Sequence, residues 1–304
     1  MNKLSYVEIL KINIDKQPIQ SQIKKKIKTI SIDDRINRLI NKLIKTNKNT
    51  NKRIKQSILN SINKTNLNET LIEVKTILNS NNIKLDNLNK NHYWVANKLI
   101  EVISKYNYTN TASIVDIGGG NGNILNYINK LLGIPKKNLY IIEQIEDWFE
   151  TNNYIHDINY IFWNNKYINI ESNTIDIIII MVSLHHMTDI TINNLLFNID
   201  RILKPNGLII IKEHNCKTTE DKFVIDWEHH LYHLLKSENI SEQANNSYIN
   251  KFTNNYKSIE EYNNIFAKFN YTNILNMNRL FMQYDPIDIL NPTNLYWSIY
   301  KKIS

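Results

Sequence analysis

Four of the six glycines in this 304-residue chain fall in one decapeptide, Ile114 to Asn123, which reads Ile-Val-Asp-Ile-Gly-Gly-Gly-Asn-Gly-Asn. Glycine lets a ligand approach the backbone where a Cβ would stand, and it accepts the positive φ that tight turns demand. Ile114, Val115 and Ile117 suit a buried strand, while Ile124, Leu125, Ile128, Leu131 and Leu132 repeat at helical spacing. Strand, glycine turn and helix together make a cradle, because the first amides of a helix have no partner within it and can hold polar ligand groups. A second chemical position is Glu143, which ends the short apolar run Leu139 to Ile142. A carboxylate at the carboxyl end of a strand in an open α/β sheet can accept both hydroxyls of a ribose. The third set is Ser183-Leu-His185-His186, after the most apolar run of the chain, with Glu213-His214 at the end of the next one. A neutral imidazole there could remove a proton from an acceptor, with an apparent pKa near 6.5.

The spacing of the glycines separates two cofactor classes. A dinucleotide fingerprint requires Gly-x-Gly-x-x-Gly/Ala, and counting from Gly118 or Gly120 brings Asn123 or Leu125 to its last position. What fits is Asp116-x-Gly118-x-Gly120-x-Gly122, which resembles the first motif of the class I S-adenosylmethionine (SAM) dependent methyltransferases. The resemblance continues through Glu143, the Leu-His-His at 184–186 and Leu203-Lys-Pro-x-Gly207 before a strand, in the order found in the broad type 11 and type 12 group. It implies SAM as cofactor, held by Asp116, Gly118, Gly120, Gly122, Glu143, Asn164 and Ser183, with Asn164 at the adenine where many relatives have Asp. It places His185, His186, Glu213 and His214 on the acceptor side as catalytic candidates.

The elements that must position these residues follow from periodicity. A helix is expected over His92 to Tyr106, and strands over Ile114 to Ile117, Leu139 to Glu143, Asn159 to Trp163, Ile175 to Val182 and Leu208 to His214. The run at 175–182 is apolar on both faces, as in the centre of a parallel sheet. Thr188 to Leu203 reads as a helix stopped by Lys-Pro-Asn-Gly, Ser258 to Glu261 as a capping box opening a helix to Phe269, and Tyr271 to Met277 and Asn294 to Lys302 as closing strands. Residues 91–304 are thus expected to form a doubly wound, seven-stranded α/β sheet of the Rossmann-like methyltransferase type. Tyr93 is a candidate lid residue, and Trp94 a packing one.

Residues 1–90 carry 19 Lys and Arg against 7 Asp and Glu, whereas the remainder carries 18 against 22, within a net charge of +8. Apolar spacing from Ile36 to Leu78 is helical, so residues 1–90 are expected to be a separate basic helical region. Its lysines could touch RNA phosphates, although aromatic residues for base stacking are nearly absent between Tyr6 and Tyr93. The single cysteine, Cys216, excludes an internal disulfide. The start of the chain has no apolar core of leader length, and the apolar run 177–182 is too short to cross a bilayer, so a cytoplasmic protein is expected.

Asp221 to Ser237 reads as a helix facing the substrate, carrying His229, His230 and His233. His229 and His233 share a face at i, i+4, but no His-Glu-x-x-His order and no cysteine accompany them, so no metal is expected. The acceptor stays open between a small molecule and RNA. The Lys-Asp-Lys-Glu set of cap 2′-hydroxyl enzymes is incomplete, and the signatures of amino-methylating and cytosine C5 enzymes are missing. The alternatives to an active methyltransferase are a catalytically silent subunit binding a partner, and an NAD-dependent oxidoreductase.

Overall fold

The computed structural model describes residues 89–144, 157–236, 254–274 and 294–303, with single residues between 31 and 80. Its elements run α1 (Asn89–Lys105), β1 (Ile114–Ile117), α2 (Asn123–Leu132), β2 (Leu139–Glu143), β3 (Asn159–Phe162), β4 (Ile175–Met181), α3 (Asp189–Ile202), β5 (Leu203–His214), α4 (Thr219–Lys236), α5 (Ile259–Ala267), β6 (Tyr271–Asn273) and β7 (Leu295–Lys302). The seven strands form one sheet in the order β3-β2-β1-β4-β5-β7-β6. β7 runs antiparallel to β5 and to β6, and the other pairs are parallel.

The strand alternation explains why both faces are covered. Successive side chains of a strand point to opposite faces. Ile177 and Ile179 of β4 accordingly pack with Leu99 and Ile103 of α1 and with Leu125 and Ile128 of α2. Ile178 and Ile180 pack with Leu195 and Ile199 of α3 and with Tyr262 and Phe266 of α5. Strand order reverses at β1 and β4, so the turns after β1 and β4 open the crevice where ligands of such sheets bind. Helix ends are fixed locally. Thr188 caps α3 through the amide of Thr191. Ser258 and Glu261 make both bonds of the capping box expected for α5.

The junction of α3 and β5 differs from expectation. The helix ends at Ile202, and the strand begins at once with Leu203, which pairs with Ile175, while the next pair is Ile177 with Leu208. Lys204 to Gly207 therefore bulge opposite the single residue Asp176. Pro205 has no N–H to give the ladder, and the Lys204 ammonium bonds Asp176 at 2.8 Å instead. A Cβ at Gly207 would fall 2.5 Å from Leu203 Cδ1 and 3.0 Å from the Asp176 carbonyl oxygen, so a side chain there would displace Leu203. β3 and β4 stop one residue earlier than expected, at Phe162 and Met181. The outer end of the Tyr271 to Met277 strand, most of the basic N-terminal stretch and the His233 side chain lie outside the described residues. Among the described residues no helix is long and apolar enough to cross a membrane.

Arg35 of the N-terminal stretch reaches α4, with Nη1 2.8 Å from Asp221 Oδ1 and both side chains largely buried. Asp221 also accepts the amides of Lys217 and Thr218 and the Asn294 side chain. Loss of Arg35 thus leaves the carboxylate solvated by three other donors. Deleting residues 1–88, which keeps α1 whole, is expected to leave SAM affinity within a few-fold of the full chain by calorimetry. An unfolded truncation would show that residues 1–88 belong to the core.

Candidate functional site

The turn after β1 is held from three sides. The Gly118 amide donates to the Ile142 carbonyl at 2.8 Å, the Gly120 amide donates to Glu143 Oε1, and Tyr160 donates from its hydroxyl to the Asn121 carbonyl at 2.9 Å. Gly118, Gly120 and Gly122 have φ of 73°, 56° and 80°. They differ in what a side chain would meet. At Gly118 a Cβ would lie 2.9 Å from Ser183 Cβ, and at Gly122 it would lie 2.6 Å from Ile141 Cδ1, whereas at Gly120 nothing among the described residues stands within 4 Å. Gly118 and Gly122 pack the turn against the sheet, and no described residue covers Gly120.

Two carboxylates lie under this turn. Asp116 is 1% exposed, and neither of its oxygens has a hydrogen-bond partner among the described residues. Burial, and then the charge of Glu143, push its carboxyl well above the usual carboxylate range. Glu143 is also raised by burial, while the Gly120 amide pulls it back. Ser183 donates from its hydroxyl to the Ile117 carbonyl at 3.2 Å, beside Gly118. Asn164 is exposed just beyond β3, and its side-chain oxygen accepts the Lys166 amide at 3.2 Å.

The acceptor-side candidates converge as well. After β4 the chain passes through Val182 at φ 55° into a 3-10 turn, Leu184–His186. A β-branched residue in the left-handed region is a true outlier, costing on the order of 1–3 kcal/mol. The Val182 amide bonds the Lys212 carbonyl at 2.7 Å, which holds the strained residue at the sheet. Glu213 on β5 then organises the turn. One of its oxygens accepts the Leu184 amide at 3.0 Å, and the other accepts the His214 amide at 2.8 Å and faces His185 Nδ1 at 2.7 Å. Burial raises the Glu213 carboxyl, against the pull of His214 and its amide. His185 is fully buried and His214 nearly so, while His186 is exposed. Burial, followed by the neighbouring imidazoles, holds His185 well below its ordinary value, and burial drives His214 down to about 3.

Three residues reach this cluster that sequence spacing did not assign to it. His229 of α4 brings Nε2 to 3.0 Å from His185 Nε2. Tyr256 stacks on the His185 ring at 5.2 Å and donates to Asp226 at 3.0 Å. Asn255 donates its amide to the His185 carbonyl at 2.8 Å. Tyr256 and Asn255 lie in a segment before α5 without periodicity, so only tertiary packing could find them. Trp94 packs against the core as expected, with the Lys212 ammonium 5.0 Å from its ring centre. Tyr93 is 44% exposed and meets Tyr127 edge-on.

No curated protein matches the chain significantly. Among solved structures, a Haloferax volcanii protein described as a methyltransferase, in complex with its methyltransferase activator, is 13% identical over 71% of this chain and 92% of its own, with a TM-score of 0.48. A SAM-dependent methyltransferase from Aquifex aeolicus is 14% identical over 66% of this chain and 86% of its own, with a TM-score of 0.41. Haemonchus contortus phosphoethanolamine N-methyltransferase 2, in complex with SAM, is 14% identical over 68% of this chain and 53% of its own, with a TM-score of 0.40. Residues 91–276, more than half of the chain, match the family described as "Methyltransferase domain". That stretch begins within α1 and carries the glycine turn, both carboxylates and the histidine turn, and by it the chain belongs to the methyltransferase-domain family, in its class I form.

Proposed function

We propose that the protein transfers a methyl group from SAM to an acceptor entering on the His186 side. The observation that carries this reading is the buried Asp116 carboxylate beneath a turn at Gly120, the one without a partner and the other without a neighbour among the described residues. A ligand bearing an ammonium group and a ribose fits such a place, since buried carboxylates demand hydrogen bonds or positive charge. In this reading Asp116, Gly118, Gly120 and Gly122 hold the amino-acid and ribose end, Glu143 takes the ribose hydroxyls, the Asn164 side-chain oxygen accepts from the adenine amino group, and Ser183 borders the methyl. SAM supplies a methyl already activated by the sulfonium. The chain's task is then alignment, which by itself supplies several kcal/mol of barrier reduction. His185, His186, Glu213 and His214 shape the acceptor side. The acceptor is a small molecule or an RNA, and salt-dependent RNA binding by the full chain, lost on removing the basic stretch, would decide for the latter.

Calorimetric titration with SAM, S-adenosylhomocysteine and NADH tests the reading. Micromolar binding of the first two and none of NADH is expected. A protein that ignored SAM while its melting temperature rose with NADH would be an oxidoreductase, and one that bound neither would be a silent subunit. In the same assay Glu143→Ala is expected to weaken SAM by roughly 10- to 150-fold, the equivalent of about 1.5–3 kcal/mol for charged hydrogen bonds. An unchanged dissociation constant in the folded variant would remove Glu143 from the site.

A further inference from the structure

We propose that His185, His186 and His229 form a binding site for one divalent transition-metal ion of the zinc class, on the acceptor side of the crevice. The argument rests on where the ring hydrogens must be. His229 Nδ1 lies 2.9 Å from the Ile225 carbonyl oxygen. A carbonyl can only accept, so His229 carries its hydrogen on Nδ1. His185 Nδ1 lies 2.7 Å from a Glu213 oxygen that also accepts the His214 amide, while the other oxygen takes the Leu184 amide. Glu213 is the acceptor in all three, so His185 also carries its hydrogen on Nδ1. With both rings neutral and Glu213 ionised, the two Nε2 atoms present lone pairs to each other across 3.0 Å. Two acceptors facing at that distance repel unless a positive centre joins them.

His186 supplies a third nitrogen, and the three ligand atoms lie within 4.8 Å of one another. Zinc–nitrogen bonds of about 2.0–2.1 Å at tetrahedral angles set nitrogens roughly 3.3 Å apart, so small ring movements suffice. The His229 ring stands at 71° to that of His185 and at 84° to that of His186. The supporting contacts are those of metal-bound histidine: one ring donates its far N–H to a carboxylate and another to a backbone carbonyl. An all-imidazole set favours Zn²⁺, Co²⁺, Ni²⁺, Cu²⁺ or Fe²⁺ over Mg²⁺ and Ca²⁺. His186 is exposed, which gives the ion a way in.

A second group, His185, Glu213 and His214, has the same compactness. It is less suited, because every member is buried and the Glu213 oxygens already hold the turn together. Three imidazoles leave one tetrahedral position for an oxygen ligand, whose pKa the ion would lower. Occupation of that position by the acceptor rests on the methyl-transfer reading; binding of the ion does not. Spacing placed His229 and His233 on one helix face and led to no metal being expected, whereas the fold joins His229 to a pair 43 and 44 residues earlier in the chain.

The test is titration of the full chain, stripped with chelator, with Co²⁺ alone. One equivalent is expected to give the intense visible absorption of a four- or five-coordinate nitrogen site, displaced by one equivalent of Zn²⁺. His229→Ala and His186→Ala should each weaken Co²⁺ at least tenfold, and Glu213→Gln by about 10- to 100-fold. Should His229→Ala fail to fold, His186→Ala decides the matter, since its side chain is exposed. The proposal is overturned if Co²⁺ shows only the weak spectrum of the hydrated ion, or if both His variants bind it as the parent does. It is equally overturned if nitrogen NMR finds a proton shared between His185 Nε2 and His229 Nε2 that Zn²⁺ does not displace. SAM titration of the same samples keeps the two readings apart: SAM binding without Co²⁺ binding removes the metal alone, and Co²⁺ binding without SAM binding removes the cofactor alone.

Discussion

Replacing Asp116 by Asn is expected to stabilise the ligand-free protein at neutral pH while weakening SAM by roughly tenfold or more. Both effects come from one carboxylate. It is buried, has no partner among the described residues, and its carboxyl is pushed well above the usual range by burial and by Glu143. Above about pH 4 the unfolded chain has released this proton, whereas the native state still holds it or carries a costly buried charge. The unfolded state therefore binds fewer protons, and stability falls as pH rises through the native pKa. Asn has the same shape and does not titrate. The variant should be more stable at pH 8, because Asn carries no buried charge and holds no proton that the unfolded state releases, and the gain should vanish below about pH 3, where Asp116 is protonated in both states. Urea midpoints at the two pH values measure this. A variant less stable at both would mean that Asp116 makes a structural bond, and undiminished SAM affinity would take it out of the site.

Gly122→Ala is expected to cost about 2–5 kcal/mol of stability, about twice the effect of Gly120→Ala. At Gly122 the backbone is left-handed, with φ 80° and ψ 12°, which costs a side chain about 1–2 kcal/mol. The new methyl would also lie 2.6 Å from Ile141 Cδ1 and 3.0 Å from the Tyr160 hydroxyl. Ile141 is fully buried, and Tyr160 is bonded to Asn121. Neither can move without disturbing the core or the turn, and overpacking of this kind costs about 1–3 kcal/mol more. Gly120→Ala carries only the backbone penalty, because its methyl meets no described residue, and its larger effect should be on SAM affinity. Denaturant unfolding of the pair, with calorimetry, separates packing from ligand approach. Equal stability losses would show that the turn yields around Gly122.

Local chemistry was legible where short-range rules decide the outcome. The Asp116 to Gly122 run specified a turn, because three of its glycines have positive φ that few other residues tolerate. The apolar runs at 139–143 and 175–181 specified strands, and the Ser258 and Glu261 pair specified a helix start. The junction at Leu203 was misread because a helix pattern stopped by Lys-Pro-Asn-Gly gives no sign that Leu203 itself pairs with Ile175. That pairing depends on the neighbouring strand and on the Asp176 bulge.

The order of the glycine motif, Glu143 and the apolar strands is determined by the sequence itself, since each follows from the backbone needs of a few adjacent residues. Protonation, partners and ligation were decided by tertiary structure. Asp116 and Glu143 influence each other's charge only because β1 and β2 are paired. His185 faces Glu213 because β4 and β5 are paired, and meets His229 and Tyr256 only because α4 and the segment before α5 are packed over the strand ends. Such contacts join residues tens of positions apart, and their energies depend on burial and on distances of about 3 Å that no local pattern encodes.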